Sequence, residues 1–288
     1  SIVSTQGPIA RSIDELDYYM KAYINEGKPW EYDSLCVPIP WREANLPSKI
    51  KIGVLSDDNL VTPYPAVSRA IAESVEKLKA DDSFEIIDLS PYWYSEAQME
   101  EIYDVNVSLY TCDGNKVQLS MFEESGEPLL PMTRHFLEFG GGKEHTIYQN
   151  RMFNAQRDAL KVEMMDKYFG DLGLDFILSP TYVGPSEKAA ETKYWGYSSF
   201  WNLLDYPNVV FPTGVAHDVG KDAQIPSNLK SNKYEKMVWY GKDGSLEYDA
   251  EDYIGGPVAL QLTGKRFCDE DVVAATKKIV EVLKIERR

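Results

Sequence analysis

Side chains that could act as nucleophile or base are few and scattered in this sequence of 288 residues. Cys112 would need His135 as its base, but nothing in the sequence brings the two together. The acidic surroundings of Cys112 also do not stabilise a thiolate. Ser198 and Ser199 lack the flanking glycines expected around an exposed nucleophile. We expect this pair to belong to the start of a helix that lines a pocket.

Sequence motifs of metal and cofactor chemistry are absent from the chain. It has no HExxH, GxSxG, P-loop or EF-hand pattern. His135, His145 and His217 have no ligand partner at helical spacing, so we expect surface or structural roles for them. The turn 56–59 has the sequence Ser-Asp-Asp-Asn, which is too acidic to cradle a pyrophosphate. We therefore expect no metal ion and no cofactor.

The charge balance excludes several classes of partner. Lys and Arg number 30 against 46 Asp and Glu, and the net charge of -16 repels phosphate backbones and anionic lipid surfaces. No apolar run approaches the ~20 residues that span a bilayer. We expect no nucleic acid partner and no membrane span. Three cysteines without a CxxC pair favour a reducing compartment, so we expect a cytoplasmic protein.

Alternating strand and helix patterns predict an α/β fold that would position these groups. A strand at 51–55, a helix with apolar residues from Val67 to Leu78 and a strand at 84–89 form a βαβ unit with parallel strands. The polar, lysine-containing segment 220–236 is expected to be a surface excursion. Further strands are predicted at 175–181, 208–214 and 258–262. Further helices are predicted at 12–27, 96–119, 148–169 and 272–283.

A glycine-rich segment near the C-terminal end combines a turn, a strand and a helix start. The Gly255-Gly256 pair permits a tight turn, an apolar strand follows, and Gly264 lets the backbone leave the sheet. Asp269 and Glu270 then place negative charge where the helix dipole favours it. By itself this segment is equally compatible with an ordinary strand-turn-helix unit and with a family motif.

Four segments occur in order across almost the whole chain. They are a Gly-Pro-x-Ala-Arg-Ser helix entry at 7–12, an Asp-x-x-x-Ser-Pro-Thr strand at 175–181, Asn202 to Pro207 with the Pro-Thr-Gly strand ending at Gly214, and the ending from Gly256 through Gln261 to Glu270. Together they resemble the amidase-signature family, and the sequence around Leu203 to Pro207 is most similar to fungal general amidases and acetamidases. The resemblance implies an α/β fold with a mixed twisted β-sheet flanked by helices on both faces.

The resemblance also implies a chemistry. Enzymes of this family hydrolyse carboxamides with a nucleophilic Ser, a second Ser in a cis peptide and a Lys, and a glycine-rich loop donates N–H groups to the oxyanion. In the family these groups lie upstream of the position that Ser1 occupies, so we expect no catalytic residue in this chain. Residues 1–288 are expected to be the C-terminal portion of a single amidase-signature domain, the second half of the fold only. This segment would be inactive alone.

The expected partners also follow from the resemblance. The substrate would be a small-molecule amide. A half-fold would leave an unpaired sheet edge, so the chain is expected to associate with the missing N-terminal half or with a second copy of itself. The alternative is a non-catalytic amidase-like scaffold or small-molecule binding protein that has the fold and pocket without the chemistry.

An aromatic cluster supplies candidates for substrate binding. Trp195, Tyr197, Trp201 and Asn202 are predicted to contact substrate, because such aromatic density suits an apolar acyl or aryl pocket. Core packing is an equally good explanation for each of them. Asp205, just after this cluster, is expected to be a buried carboxylate that braces its loop.

Overall fold

Five strands form one sheet within the described part of the chain. The computed structural model describes residues 2–139, 142–187 and 191–285. The strands are β1 (Ile50–Val54), β2 (Phe84–Asp88), β3 (Phe176–Pro180), β4 (Asn208–Ala216) and β5 (Pro257–Thr263). They lie side by side in the order β2-β1-β3-β5-β4.

The sheet is mixed, as the family resemblance implies. β1 pairs in parallel with β2 and with β3, which confirms the predicted βαβ unit. β5 runs antiparallel between β3 and β4, with Leu262 opposite both Leu178 and Val209. β5 therefore joins the parallel half of the sheet to β4, which together with β2 forms the edges.

Helices pack on both faces of this sheet, which confirms the predicted fold class. α6 continues into the π-helical segment Met165–Asp171. None of the described helices is long and apolar enough to cross a bilayer. The helices are α1 (Ile13–Lys21), α2 (Pro65–Lys79), α3 (Glu96–Tyr110), α4 (Lys116–Ser125), α5 (Pro131–Phe139), α6 (Ile147–Met164), α7 (Gly196–Leu204), α8 (Val219–Asp222), α9 (Lys233–Trp239) and α10 (Asp269–Leu283).

Several helical segments differ from the sequence prediction, and α5 lies where no helix was predicted. The single helix predicted at 96–119 is divided into α3 and α4, because Asn115 adopts a left-handed conformation with φ of 60° before α4. The segment 220–236, predicted as a surface excursion, contains most of α8 and the first turn of α9. Glu235 in that turn is completely buried. Residues distant in the sequence contact this segment and bury it. The polar character of the segment itself does not indicate these contacts.

The core occupies both sides of β3, whose five residues are all buried. Because side chains alternate along a strand, Phe176 and Leu178 face one cluster and Ile177 faces the other. The first cluster contains residues of α2 and α10. The second contains residues of α3, α6 and α7. The continuous apolar sequence of β3 is thus explained by burial on both faces.

The glycine-rich ending forms the turn, strand and helix that its sequence predicts. Gly255 has φ of 71°, a left-handed conformation that favours glycine. Gly264 packs so closely under α10 that an added Cβ would lie 2.5 Å from Val272 Cγ2. The end of β5 and the start of α10 can therefore approach each other closely only because residue 264 is a glycine.

The extended segment between α1 and β1 is fastened to the start of α10 by Arg42 and Glu270. The carboxylate of Glu270 accepts hydrogen bonds from Arg42 N at 2.7 Å and from Arg42 Nε at 3.1 Å. Only 6% of Glu270 is exposed. Burial alone would raise the pKa of Glu270, but the hydrogen bonds from Arg42 outweigh it and leave this pKa below its ordinary value.

The substitution Glu270→Gln should lower the free energy of unfolding at pH 7 by about 1.5–3 kcal/mol, the usual contribution of hydrogen bonds to a charged group. A carboxylate with a lowered folded pKa stabilises above its unfolded pKa, and this stabilisation is lost as pH falls through the folded pKa. The deficit should therefore shrink below about pH 4. Urea denaturation at pH 7 and pH 3.5 measures it. Glu281→Gln, at an exposed position of α10, is the control and should change little. A deficit of equal size at both pH values would contradict the ion pair.

Candidate functional site

A cavity of about 500 Å³ opens between α3, α5 and the N-terminal part of α7. Most of its wall is apolar and aromatic, which is the usual character of a pocket for a small organic molecule. Its apolar wall residues are Tyr103, Val107, Tyr110, Met132, Phe136 and Trp195.

The structure divides the four predicted substrate-binding residues between two faces of α7. Trp195 and Asn202 line the cavity, and the ring of Trp195 meets that of Phe136 edge-on at 5.9 Å. Tyr197 and Trp201 face the core, where they are 3% and 1% exposed. The spacing explains this separation, since positions seven apart share a helix face and positions two apart do not.

Ser198 and Ser199 lie in the first turn of α7 and line the cavity, as the sequence predicts. Ser198 Oγ donates a hydrogen bond to the carbonyl of Trp195 at 3.2 Å. Ser199 Oγ accepts one from Asn106 Nδ2 at 2.7 Å. A carbonyl and an amide do not activate a hydroxyl, so this arrangement does not make either serine a nucleophile.

The opposite face of α7 is fixed by hydrogen bonds inside the core. The hydroxyl of Tyr197 donates to Val61 O at 2.7 Å and accepts from Asp58 N at 3.2 Å. The hydroxyl of Tyr194 donates to Asp58 Oδ2 at 2.7 Å. Gln261 Nε2, on β5, donates to the carbonyl of Tyr197 at 2.8 Å. The turn after β1 and the centre of the sheet thus hold the helix that builds the cavity wall.

Asp58 is a buried carboxylate at the centre of this anchor, with 2% exposure. Desolvation, with a smaller contribution from nearby Asp57, raises the pKa of Asp58 to about 7. Hydrogen bonds from the N–H groups of Leu60 and Val61 and from the Tyr194 hydroxyl oppose that rise. Near neutral pH this carboxyl group is therefore present in both protonation states.

A second buried carboxylate, that of Glu235 on α9, binds the turn after β1. It accepts hydrogen bonds from Thr62 N at 2.7 Å and from Thr62 Oγ1 at 2.6 Å. Lys230 Nζ donates to Thr62 Oγ1 at 2.9 Å and pairs with Asp57 at 2.8 Å. A carboxylate can act as the base for a hydroxyl. Thr62, however, is only 7% exposed and does not line the cavity, so the arrangement is structural. The prediction of a surface segment at 220–236 missed it.

Two further residues that the sequence singled out lie away from the cavity wall. His217 is completely buried, with Nδ1 3.8 Å from Asp222 Oδ2. Asp222 in turn pairs with Arg69 at 2.7 Å. The prediction that Asp205 is buried is wrong. Its side chain is 56% exposed and pairs with Arg266 Nη2 at 2.7 Å, and its φ of 60° ends α7 in a left-handed conformation.

No group of three or more His, Cys, Asp and Glu side chains that could hold a metal ion occurs among residues 2–139, 142–187 and 191–285. The carboxylates of the turn after β1 are instead paired with backbone N–H groups, the hydroxyl of Tyr194 and Lys230. These groups hold the fold rather than a cation.

Comparison with known proteins gives consistent matches. The family model described as Amidase matches residues 1–273. A protein of Schizosaccharomyces pombe named as an amidase is 35% identical over 98% of this chain and 50% of its own length. Acetamidase of Aspergillus oryzae is 27% identical over 98% of this chain and 52% of its own. The chain therefore spans about half the length of these curated relatives.

Solved structures agree with the sequence matches. A structure of fatty acid amide hydrolase superposes with a TM-score of 0.87 at 38% sequence identity. The match covers 98% of this chain and 48% of the hydrolase chain. A crystal structure of an amidase with 18% identity superposes with a TM-score of 0.59 over 96% of this chain and 52% of its own, and shows the fold alone.

Substitution of Asp58 by Asn should change how stability depends on pH. A carboxyl group with a raised folded pKa contributes stability that falls as pH rises from about 4, its unfolded pKa, to about 7. Asn at this position does not titrate. The free energy of unfolding of the variant, relative to the unsubstituted chain, should therefore increase by up to about 1.4 kcal/mol per pH unit in this window and then level off. Urea denaturation between pH 4 and pH 8 measures the difference. A difference that is independent of pH would show that Asp58 titrates normally.

Proposed function

The chain belongs to the amidase family, and from this premise we propose that it forms part of an enzyme that hydrolyses carboxamides. The reaction would convert an amide and water to a carboxylate and ammonia or an amine. The observation that carries the proposal is the apolar cavity beside α7, in a chain whose family match extends over residues 1–273. Such a cavity suits the apolar part of an amide substrate.

The cavity gives the predicted substrate-binding residues separate roles. Trp195 and Asn202 would contact the acyl or aryl part of the amide directly, because their side chains line the cavity. Tyr197 and Trp201 would act from the other side of α7, by holding it against the core. Only the first pair would therefore discriminate between substrates.

Amide hydrolysis needs an activated nucleophile, a base and oxyanion donors together. In the described residues the hydroxyls of Ser198 and Ser199 are bonded to groups that do not activate them. The hydroxyl of Thr62 is bonded to Glu235, but Thr62 is buried and lies outside the cavity wall. We therefore attribute the nucleophilic Ser, the second Ser and the Lys to a polypeptide segment outside this sequence. On this proposal residues 1–288 are the C-terminal portion of a single amidase-signature domain.

An exposed apolar residue on the edge strand β4 supports association with such a segment. Val210 of β4 is 54% exposed, and an edge strand offers unpaired N–H and C=O groups to another chain. The partner on this proposal is the other half of the amidase fold, with a second copy of the chain as the alternative. The net charge of -16 and the free cysteines Cys36, Cys112 and Cys268 favour a cytoplasmic setting without nucleic acid.

The 288-residue chain alone should release no ammonia from benzamide or hexanamide above the buffer rate. A longer protein that also contains the family's serine and lysine segment should release it from at least one of them. Ammonia measured by a coupled assay provides the test. Turnover by the 288-residue chain alone would contradict the proposed division of the active site. Absence of turnover in both proteins would favour the alternative, a non-catalytic amidase-like scaffold or small-molecule binding protein.

In the longer protein, Trp195→Ala should lower kcat/KM for benzamide by about ten- to a hundredfold, as expected when burial of one aromatic contact worth about 1.5–3 kcal/mol is lost. Acetamide, whose acyl group is one methyl, should be affected much less. Trp30→Ala, at a partly exposed tryptophan outside the cavity wall, is the matched control. An equal decrease in kcat/KM for benzamide and acetamide would contradict the assignment of Trp195 to the acyl or aryl pocket.

A further inference from the structure

The cavity beside α7 is larger than one aromatic ring requires. Its volume of about 500 Å³ is roughly three times the ~150 Å³ that holds a benzene molecule in a protein interior. A methyl group or a single phenyl ring would leave most of this space without contacting atoms, so dispersion contacts with the wall would be lost. The volume therefore favours a ligand with a larger group.

The wall of the cavity offers no counter-charge to a ligand. Among the residues that the structure describes, none of those that line the cavity has a charged side chain. The chain as a whole carries 46 acidic and 30 basic residues. An ion that left water to enter this cavity would lose its hydration without gaining a charged partner. A charge on the buried part of a ligand would therefore oppose binding.

Hydroxyl groups of the wall are engaged with the protein itself. The hydroxyl of Thr111 donates to the carbonyl of Val107 at 2.9 Å, and that of Ser198 donates to the carbonyl of Trp195 at 3.2 Å. These two protons are thus not available to a ligand. The wall attracts a ligand mainly by apolar contact.

Aromatic rings from three elements meet in the wall. The ring of Phe136 on α5 lies 6.4 Å from that of Tyr110 on α3 and 5.9 Å from that of Trp195 at the start of α7, edge-on in both cases. Flat rings and alkyl chains pack well against such a surface.

We propose that this cavity selects amides by an uncharged apolar group larger than one benzene ring, such as a naphthyl group or an alkyl chain with a similar number of carbon atoms. Amides with a small or charged group, such as acetamide or the monoamide of a dicarboxylic acid, would be poor substrates. The proposal rests on the proposed function in one respect, that the natural ligand is an amide. It narrows the substrate class by size and by charge.

Binding of three matched probes to the 288-residue chain tests both requirements. Phenol has one ring, 2-naphthol has two, and 6-hydroxy-2-naphthoate adds a carboxylate at the far end of the double ring. Titration calorimetry is carried out in about 0.5 M NaCl, which screens the net charge of the protein. The Kd of 2-naphthol should be at least about tenfold lower than that of phenol, because the second ring buries more apolar surface.

The Kd of 6-hydroxy-2-naphthoate should be at least about tenfold higher than that of 2-naphthol, because one of its two terminal polar groups must enter the apolar cavity. Equal or weaker binding of 2-naphthol relative to phenol would overturn the size requirement. Equal or tighter binding of the naphthoate relative to 2-naphthol would overturn the charge requirement. Absence of binding of all three probes would overturn both.

Matched variants locate the size preference in the cavity. Val107→Phe adds a ring to the wall from α3 and should lower the ratio of the Kd of phenol to that of 2-naphthol at least about threefold, because the second ring then has less room. Val117→Phe makes the same chemical change on α4, at a side chain that is 56% exposed and outside the cavity wall, and should preserve the ratio. A ratio that is unchanged in Val107→Phe would assign the preference to another surface and overturn the proposal. If Val107→Phe does not fold, Thr133→Phe, at a half-exposed wall position of α5, decides.

Failure of this proposal can be distinguished from failure of the proposed function. None of the three probes is an amide, so the binding results do not depend on turnover. Selection by size and charge without amide hydrolysis in the longer protein would retain the binding site and contradict the hydrolase. Hydrolysis without this selection would retain the hydrolase and contradict the proposed selectivity of the cavity.

Discussion

The cavity depends on hydrogen bonds that attach α7 to the turn after β1, inside the apolar core. Tyr194 and Tyr197 bond to Asp58 and Val61 of that turn, and Gln261 adds a bond from the sheet. All five groups are buried, so water cannot replace a lost partner. Breaking one bond would leave an unsatisfied polar group in a dry interior, which costs more than the bond contributes when it is formed. Because breaking these hydrogen bonds is so unfavourable, α7 and the cavity wall that it forms stay in place.

The two faces of α7 consequently have different roles. The face toward the core carries the hydrogen bonds and large apolar side chains that fix the helix, and the face toward α3 and α5 carries Trp195 and Ser199. Ser199 also accepts a hydrogen bond from the side-chain amide of Asn106, which joins α7 to α3 beside the cavity.

Local patterns in the sequence predict most of the fold, and contacts between distant residues account for what they miss. The apolar runs predict all five strands, and the glycine-rich ending predicts the turn at Gly255. The two-residue spacing of Trp195 and Tyr197 indicates that they lie on different faces of α7. The sequence prediction nevertheless assigned them, with Trp201 and Asn202, to one pocket. The anchor by Glu235 could not be predicted, since its partner Thr62 lies 173 positions earlier in the chain. The exposure of Asp205 follows from a left-handed helix end that its sequence does not specify.

Hydrogen-deuterium exchange of Tyr197→Phe against the unsubstituted chain tests most directly whether the turn after β1 holds the cavity wall. The variant keeps the ring and loses the hydroxyl that bonds to Val61 and Asp58. Amides of α7 and of residues 58–62 should exchange about tenfold faster, as expected when about 1.4 kcal/mol of local stability is lost, and those of α10 should not change. Unchanged protection in α7, or equal acceleration in α7 and α10, would show that this anchor does not position the cavity.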